Sequence, residues 1–272
     1  MNILVIGAGG FIGQEVCRAL TEAGHEPRRA NLRPVTEWRR PEAWRPLLAG
    51  VQGVVYAAGC LRDRQGGDSD LLDLLHHRAP VALADACDAA GVTRRVHVSA
   101  LCGGISAYAR SKHAGDVELA GRACIVRPSL VVGVGGISSR MLDRLAGLPW
   151  LPLPAEVARC RVQPIRVEDL AAGIVAALQA PVSPASWAAV GPEAATVAAW
   201  IAQRRAARGL PPARELVVPG ALTRASARLG DLLALGPWCS TALELLAHDS
   251  VAAPDATLLS RPLRSAMQGA WA

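Results

Sequence analysis

Two side chains of complementary chemistry, Tyr108 and Lys112, stand four residues apart. On a helix that spacing puts both on one face about one turn apart, so that an ammonium sits near a phenol. A cation beside the ring favours the phenolate and lowers its pKa toward a working pH, as a general acid/base requires. Of 29 basic side chains Lys112 is the one lysine. A chain that uses arginine wherever a cation will do has kept lysine at this position, and the two differ in size, pKa and geometry. Ser99, closing the apolar run Val96-His97-Val98, adds a hydroxyl that can orient a substrate oxygen.

Such a pair needs a redox partner, and the first thirteen residues supply a place for one. Ile3 to Ile6 reads as a buried parallel strand, followed by Gly7-Ala8-Gly9-Gly10-Phe11-Ile12-Gly13. Gly7 permits a tight turn, Gly9 and Gly10 let a pyrophosphate approach the main chain, and Gly13 lets the following helix pack closely. The free N–H groups of that helix, which begins at Phe11 and Ile12, and its positive dipole end form the anion site. A packed glycine-rich turn with no ligand is the alternative. Lys112 is then placed to hydrogen-bond the nicotinamide ribose.

Where a second strand over Glu26 to Leu32 ends, an acidic residue selects NAD and an arginine accommodates the 2′-phosphate of NADP. No acid stands there. Asn31 is flanked by Arg28, Arg29 and Arg33, which favours NADP(H), with NAD(H) still possible; a solvated strand end is the other reading. A third strand ends in Ala57-Ala58-Gly59, small residues that leave room for adenine or ribose, although the same triplet is a common strand exit.

The 272 residues suit one doubly wound α/β body with a parallel sheet. The expected division is 1–180 for the nucleotide-binding domain, with strand and helix contributions from the second half, and 181–272 for a small, mostly helical lobe. The formal charge of +6 comes from scattered arginines interleaved with acids, which excludes a nucleic-acid stripe. No run reaches the roughly 18 apolar residues that span a bilayer, so a soluble, cytoplasmic protein with no membrane partner is expected. Seven widely spaced cysteines without a Cys-x-x-Cys pair read as small core residues in a reducing compartment; no metal is expected.

Further elements follow from pattern. Helices are expected over 11–23, around 41–48, over 70–90, from Tyr108 onward, and over 137–146, 168–179, 196–208, 222–235 and 241–247; strands over 96–99 and 123–127; a loop over 61–70; an extended link over 148–154. His76 and His77 read as helix-surface residues, and Asp169 as a structural polar contact.

Gly7-x-x-Gly10-x-x-Gly13, Ala57-Ala58-Gly59, Val98-Ser99-Ala100, Tyr108-x-x-x-Lys112 and Arg127-Pro128-Ser129-Leu130-Val131-Val132-Gly133 together resemble an extended or atypical short-chain dehydrogenase/reductase. The chain is similar to the nucleoside-diphosphate-sugar epimerase-like branch, which includes relatives of the NADPH-binding accessory subunit of complex I. Gln163-Pro164-Ile165, Gly191-Pro192-Glu193 and Leu246 to Val251 also find counterparts there.

The resemblance implies a Rossmann domain, a nicotinamide dinucleotide, a small-molecule substrate, and Pro128, Ser129 and Leu130 passing near the nicotinamide. It further implies a homodimer through the 70–120 region. The chain departs from the family pattern where Leu101 replaces a catalytic hydroxyl, for which Ser99, Cys102 or Ser106 are the candidate substitutes although none stands at the expected position, where the loop from Ser99 to Tyr108 is short, and where His76 replaces an Asn. Two functions stay open: an oxidoreductase or epimerase acting through Tyr108, Lys112 and Ser99, or a dinucleotide-binding sensor or assembly subunit that does not turn over.

Overall fold

The computed structural model describes residues 1–31, 36–61, 70–181, 185–233, 238–255, 257–259 and 261–266. The chain opens with β1 (Asn2–Ile6), α1 (Phe11–Glu22), β2 (Glu26–Ala30), α2 (Pro41–Leu48) and β3 (Gly53–Tyr56). A long helical stretch follows as α3 (Asp70–Asp73), a π-turn over Leu74–Arg78 and α4 (Ala79–Ala89), then β4 (Arg94–Val98), α5 (Ala107–Leu119) and β5 (Cys124–Pro128). The second half runs β6 (Val131–Val132), α6 (Ile137–Gly147), β7 (Trp150–Leu153), α7 (Ala155–Arg159), β8 (Arg161–Val162), β9 (Ile165–Arg166), α8 (Val167–Gln179) and β10 (Ser186–Ala189). It closes with β11 (Ala195–Thr196), α9 (Val197–Ala207), β12 (Arg214–Val217), α10 (Gly220–Leu233) and α11 (Ser240–Leu245). Arg33, and all of the loop expected over 61–70 except its ends, lie outside the described residues.

Six strands form a parallel sheet in the order β10-β5-β4-β3-β1-β2. The apolar run of β1 serves both faces, because successive side chains point to opposite sides. Ile3 and Val5 join Val16 and Leu20 of α1 and Leu170 and Ile174 of α8. Leu4 and Ile6 join Trp44, Leu48, Leu83 and Cys87 on the other face. This is the doubly wound α/β sheet expected.

The register puts Ile6 opposite Ala30 and Tyr56, and Tyr56 opposite His97. The carboxyl ends of β1 to β4 are therefore level, and the loops that leave them share one edge.

Packing crosses residue 180 in both directions, and a contribution of the second half to the sheet was expected. The sixth sheet strand, β10, comes from 186–189, where Trp187 packs over Gly173: a Cβ there would stand 2.3 Å from the indole. A third apolar cluster combines Val132, Leu142, Leu151 and Val162 with Trp200 and Ile201 of α9. The lobe is thus built from residues on both sides of 180.

The chain end laces lobe to sheet. Asp169, fully buried, accepts from the Arg264 backbone N–H at 2.8 Å and its Nε at 3.0 Å, and pairs with Arg261. Among the described residues no helix is long and apolar enough to cross a membrane, and no group of three His, Cys, Asp or Glu side chains is placed to hold a metal. None of the seven cysteines is in a disulfide among the described residues.

Candidate active site

The glycine turn between β1 and α1 is held by the strands beside it. The Gly7 and Ala8 N–H groups donate to Ala30 O at 2.8 and 3.4 Å, and Ala57 N–H donates to Ile6 O at 2.9 Å. Gly7 adopts φ +83, and a Cβ there would lie 2.7 Å from Ala58 N; a Cβ on Gly13 would lie 2.1 Å from Gly7 O. Any larger residue at either place would force strand and helix apart.

The first turn of α1 has no side-chain cap and no acid, which leaves the amides of Phe11, Ile12 and Gly13 as a positive helix end. Asn31, at the exit of β2, accepts from Gly9 N–H through Oδ1 at 2.7 Å. Gly9, Gly10, Asn31 and Gly59 are exposed and Ala57 and Ala58 half-buried along this edge. A cradle of free amides, closed to any Cβ at Gly7 and Gly13, fits a dinucleotide diphosphate.

Further round the same edge lies α5. Its start is capped twice: Ser106 Oγ accepts from Ala109 N–H at 3.2 Å, and Glu244 Oε1 of α11 accepts from the N–H groups of Ile105 and Ser106 at 2.7 and 2.6 Å. On this helix Lys112 is buried and reaches under the strand ends to donate from Nζ to Val98 O at 3.1 Å. A Cβ on Gly59 would stand 3.7 Å from the same Nζ. Burial pulls the ammonium down to about 8, against the upward pull of Asp116, Cys102 and Cys60.

Tyr108 lies one turn before it, its ring edge-on to the His76 imidazole at 5.1 Å. Here the structure corrects the expected electrostatics. Burial, with Cys102 and Cys60 nearby, pushes the phenol well above its ordinary value rather than toward neutrality. Ser99 is buried, its Oγ has no hydrogen-bond partner among the described residues, and its N–H is fixed to Val126 O at 2.8 Å.

His76 and His77 are not surface residues. Both are buried, because a Cβ on Gly115 would lie 2.1 Å from His76 O: α5 crosses the π-turn at van der Waals distance, and Gly115 makes that crossing. His76 Nε2 accepts from Cys60 N–H at 3.2 Å while Nδ1 meets Ser111 Oγ at 2.9 Å, and Ser111 in turn donates to Tyr108 O at 2.9 Å. Burial first, then the charge of Lys112, holds His76 well below its usual range. The ring therefore stays neutral and fastens the exit of β3 to the helix that carries Tyr108. His77 pairs with Asp73 at 2.7 Å and Glu118 at 2.6 Å.

The exit of β5 divides its residues between two tasks. Pro128 O accepts from Leu101 N–H at 2.8 Å, which fixes the main chain where a family hydroxyl is replaced. Ser129 Oγ donates to Ser250 O at 2.7 Å and accepts from Gln163 N–H at 3.2 Å, so its side chain faces the returning tail. Leu130 lines a cavity of about 150 Å³ in the lobe. Leu142 and Leu145 of α6, Val197 and Trp200 of α9, and Leu246 are among its walls, and among the described residues Ser138 is the one hydroxyl there.

A parallel sheet whose carboxyl edge carries a glycine cradle, a buried lysine and a tyrosine one turn away defines a dinucleotide-binding domain of the short-chain reductase kind. The NAD dependent epimerase/dehydratase family matches residues 3–188, and the chain belongs to that family. Over 203 residues it is 32% identical to the ceramide reductase of Caulobacter vibrioides (strain NA1000 / CB15N), a match covering 66% of this chain and 62% of that protein. Its fold resembles a dTDP-4-dehydrorhamnose reductase of Clostridium acetobutylicum, with a TM-score of 0.68 and 16% identity over 80% of this chain and 84% of the other. It also resembles a short-chain dehydrogenase/reductase superfamily protein of Agrobacterium tumefaciens solved with bound NAD: TM-score 0.66, 20% identity, 81% of this chain and 86% of that one.

Proposed function

We propose that this chain is an NADP(H)-dependent reductase that converts a carbonyl to a hydroxyl on a substrate carrying an aliphatic chain. The observation that carries the reading is the buried Lys112 ammonium, hydrogen-bonded to Val98 O at the carboxyl edge of the sheet on the helix that bears Tyr108. A bound nicotinamide supplies the hydride. Tyr108 gives its proton to the substrate oxygen, and burial keeps that proton on the phenol until the step. Ser99 Oγ, free of other partners, orients that oxygen. Lys112 holds the ribose and its charge steadies the phenolate left behind. The amides of Gly9, Phe11, Ile12 and Gly13 would hold the diphosphate, next to Asn31, whose Oδ1 accepts from the Gly9 N–H. Absence of an acid beside Asn31 favours the 2′-phosphate of NADP, and Arg33 is the cation assigned to it.

The aliphatic part rests on the lobe. A nucleoside-diphosphate sugar needs cations and hydroxyl partners, whereas the cavity next to Leu130 is walled by leucine, valine and tryptophan. The relative from Caulobacter, named for its action on ceramide, points the same way.

Purified protein given NADPH should oxidise it with long-chain aldehydes, ketones or oxo-lipids faster than with keto-sugars. NADPH left unreacted by the whole panel would remove the reading. The affinity ratio for NADP over NAD, measured alongside Arg33→Ala, tests the cofactor. The second reading, a dinucleotide-binding sensor or assembly subunit, is favoured by Leu101 at the hydroxyl position and predicts tight NADPH binding with no turnover.

A further inference from the structure

One more charged side chain of α5 is shut into the layer that holds Lys112. Asp116 follows it by four residues, which on a helix puts the two on one face a turn apart. Both are buried. Asp116 Oδ2 accepts from Arg127 Nε of β5 at 2.6 Å, whereas Oδ1 is buried with no hydrogen-bond partner among the described residues. An amide would accept that single N–H bond without taking a charge out of water. A carboxylate with one oxygen left bare is costly to bury, and the cations near it, the Arg127 guanidinium and the Lys112 ammonium, offset that cost.

The other groups around the amine bring no carboxylate. Tyr108 on α5 and Cys102 beyond β4 are held protonated by burial. His97 of β4 and His76 of the π-turn are held neutral by burial first, then by the Lys112 charge itself. Cys60, at the exit of β3, is a half-buried thiol. Asp116 therefore stands out, because it opposes the burial that pulls the amine down to about 8.

We propose that Asp116 is a positioning residue for the reduction: clamped by Arg127, it keeps Lys112 an ammonium inside the protein, able to hold the nicotinamide ribose and to steady the phenolate. This rests on the part Lys112 plays in the proposed function. With an uncharged residue at 116 the buried amine loses the opposite charge that counters its desolvation, and it sheds its proton at a lower pH.

The lone lysine makes the test direct, since protein grown on [ε-13C]lysine gives one lysine resonance whose shift follows protonation. In the apoprotein the wild-type midpoint should lie near 8. Asp116→Asn, which keeps an acceptor for Arg127, should lower it by about 1 pH unit or more, and Asp116→Glu should restore it. Arg127→Met opens the same ion pair from the other side but leaves the negative charge, so there the midpoint should stay or rise. A pair with a structural role alone would respond alike to both variants. In turnover, the alkaline limb of kcat, where the ammonium is lost, should move to lower pH in Asp116→Asn while KM for the carbonyl changes little. A midpoint unmoved in Asp116→Asn, or lowered in Arg127→Met, would overturn the proposal, and the second reading is obtained even if Asp116→Asn does not fold. The resonance is read without cofactor or substrate: a chain that turns nothing over removes the reductase reading, whereas a midpoint that ignores Asp116 removes this proposal.

Discussion

The two ends of the active-site cleft are built on opposite chemical plans. At the cofactor end, short-range motifs place backbone amides, one ammonium and one phenol at the level edge of a parallel sheet. At the proposed substrate end, side chains from 61 to 246 in sequence assemble a wall with almost no polar groups. The first plan is set by local spacing and tolerates little change at Gly7, Gly13, Tyr108 or Lys112. The second is set by tertiary packing and lets many apolar residues exchange, which is where a family of redox enzymes differentiates its substrates.

The largest expected effect tests the cofactor end. Tyr108→Phe should cost about 10²–10⁴-fold in kcat while the NADPH dissociation constant, read by fluorescence quenching, stays unchanged. A variant that retains turnover would move the proton donor elsewhere.

Lys112→Met sharpens the same contrast through stability. The folded state holds this amine at about 8 against an ordinary 10.5. Between those values the unfolded chain binds more protons, so wild-type stability should rise with pH across that window, and the burial penalty is full below about 8. The Met variant should lack that slope and, as apoprotein at pH 7, should unfold about 2–3 kcal/mol less easily, while losing activity. Urea melts at pH 7 and pH 10 read both quantities. A variant less stable than wild type at pH 7 would contradict the burial account.

At the substrate end, Met141→Trp should crowd the cavity and lower kcat/KM for a long-chain carbonyl by about tenfold. The same variant should leave a short aldehyde almost unaffected. Equal losses on both substrates would detach the cavity from substrate binding. The smallest effect is expected at Asn31→Asp, which restores the missing acid and should shift preference from NADP toward NAD several-fold, as paired titrations would show.

The contrast also explains how far the sequence could be read. Strand β1, the glycine turn and α1 emerge from a thirteen-residue window because each step depends on its neighbours, and the sheet ends follow from alternation and small residues. His76 was misassigned because helical periodicity does not reveal what crosses a helix. The signal available was Gly115, a glycine inside α5 with a close-packing partner. Glu244 gave no signal at all, since it acts across 138 residues on Ser106. The cavity was equally silent, its leucines and tryptophans being ordinary core residues until α6, α9 and α11 come together. Arg33, central to the NADP reading, falls outside the described residues and is left to titration.

Glu244 joins the two plans mechanically. Its carboxylate grips the first amides of the helix carrying Tyr108, while the helix it belongs to walls the cavity. On the proposed function, a substrate tail pressing on that wall bears on the lever that aims the proton donor. Shortening the tail should lower the speed of the chemical step as well as the strength of binding, so that occupancy of the greasy compartment becomes part of the catalytic stroke.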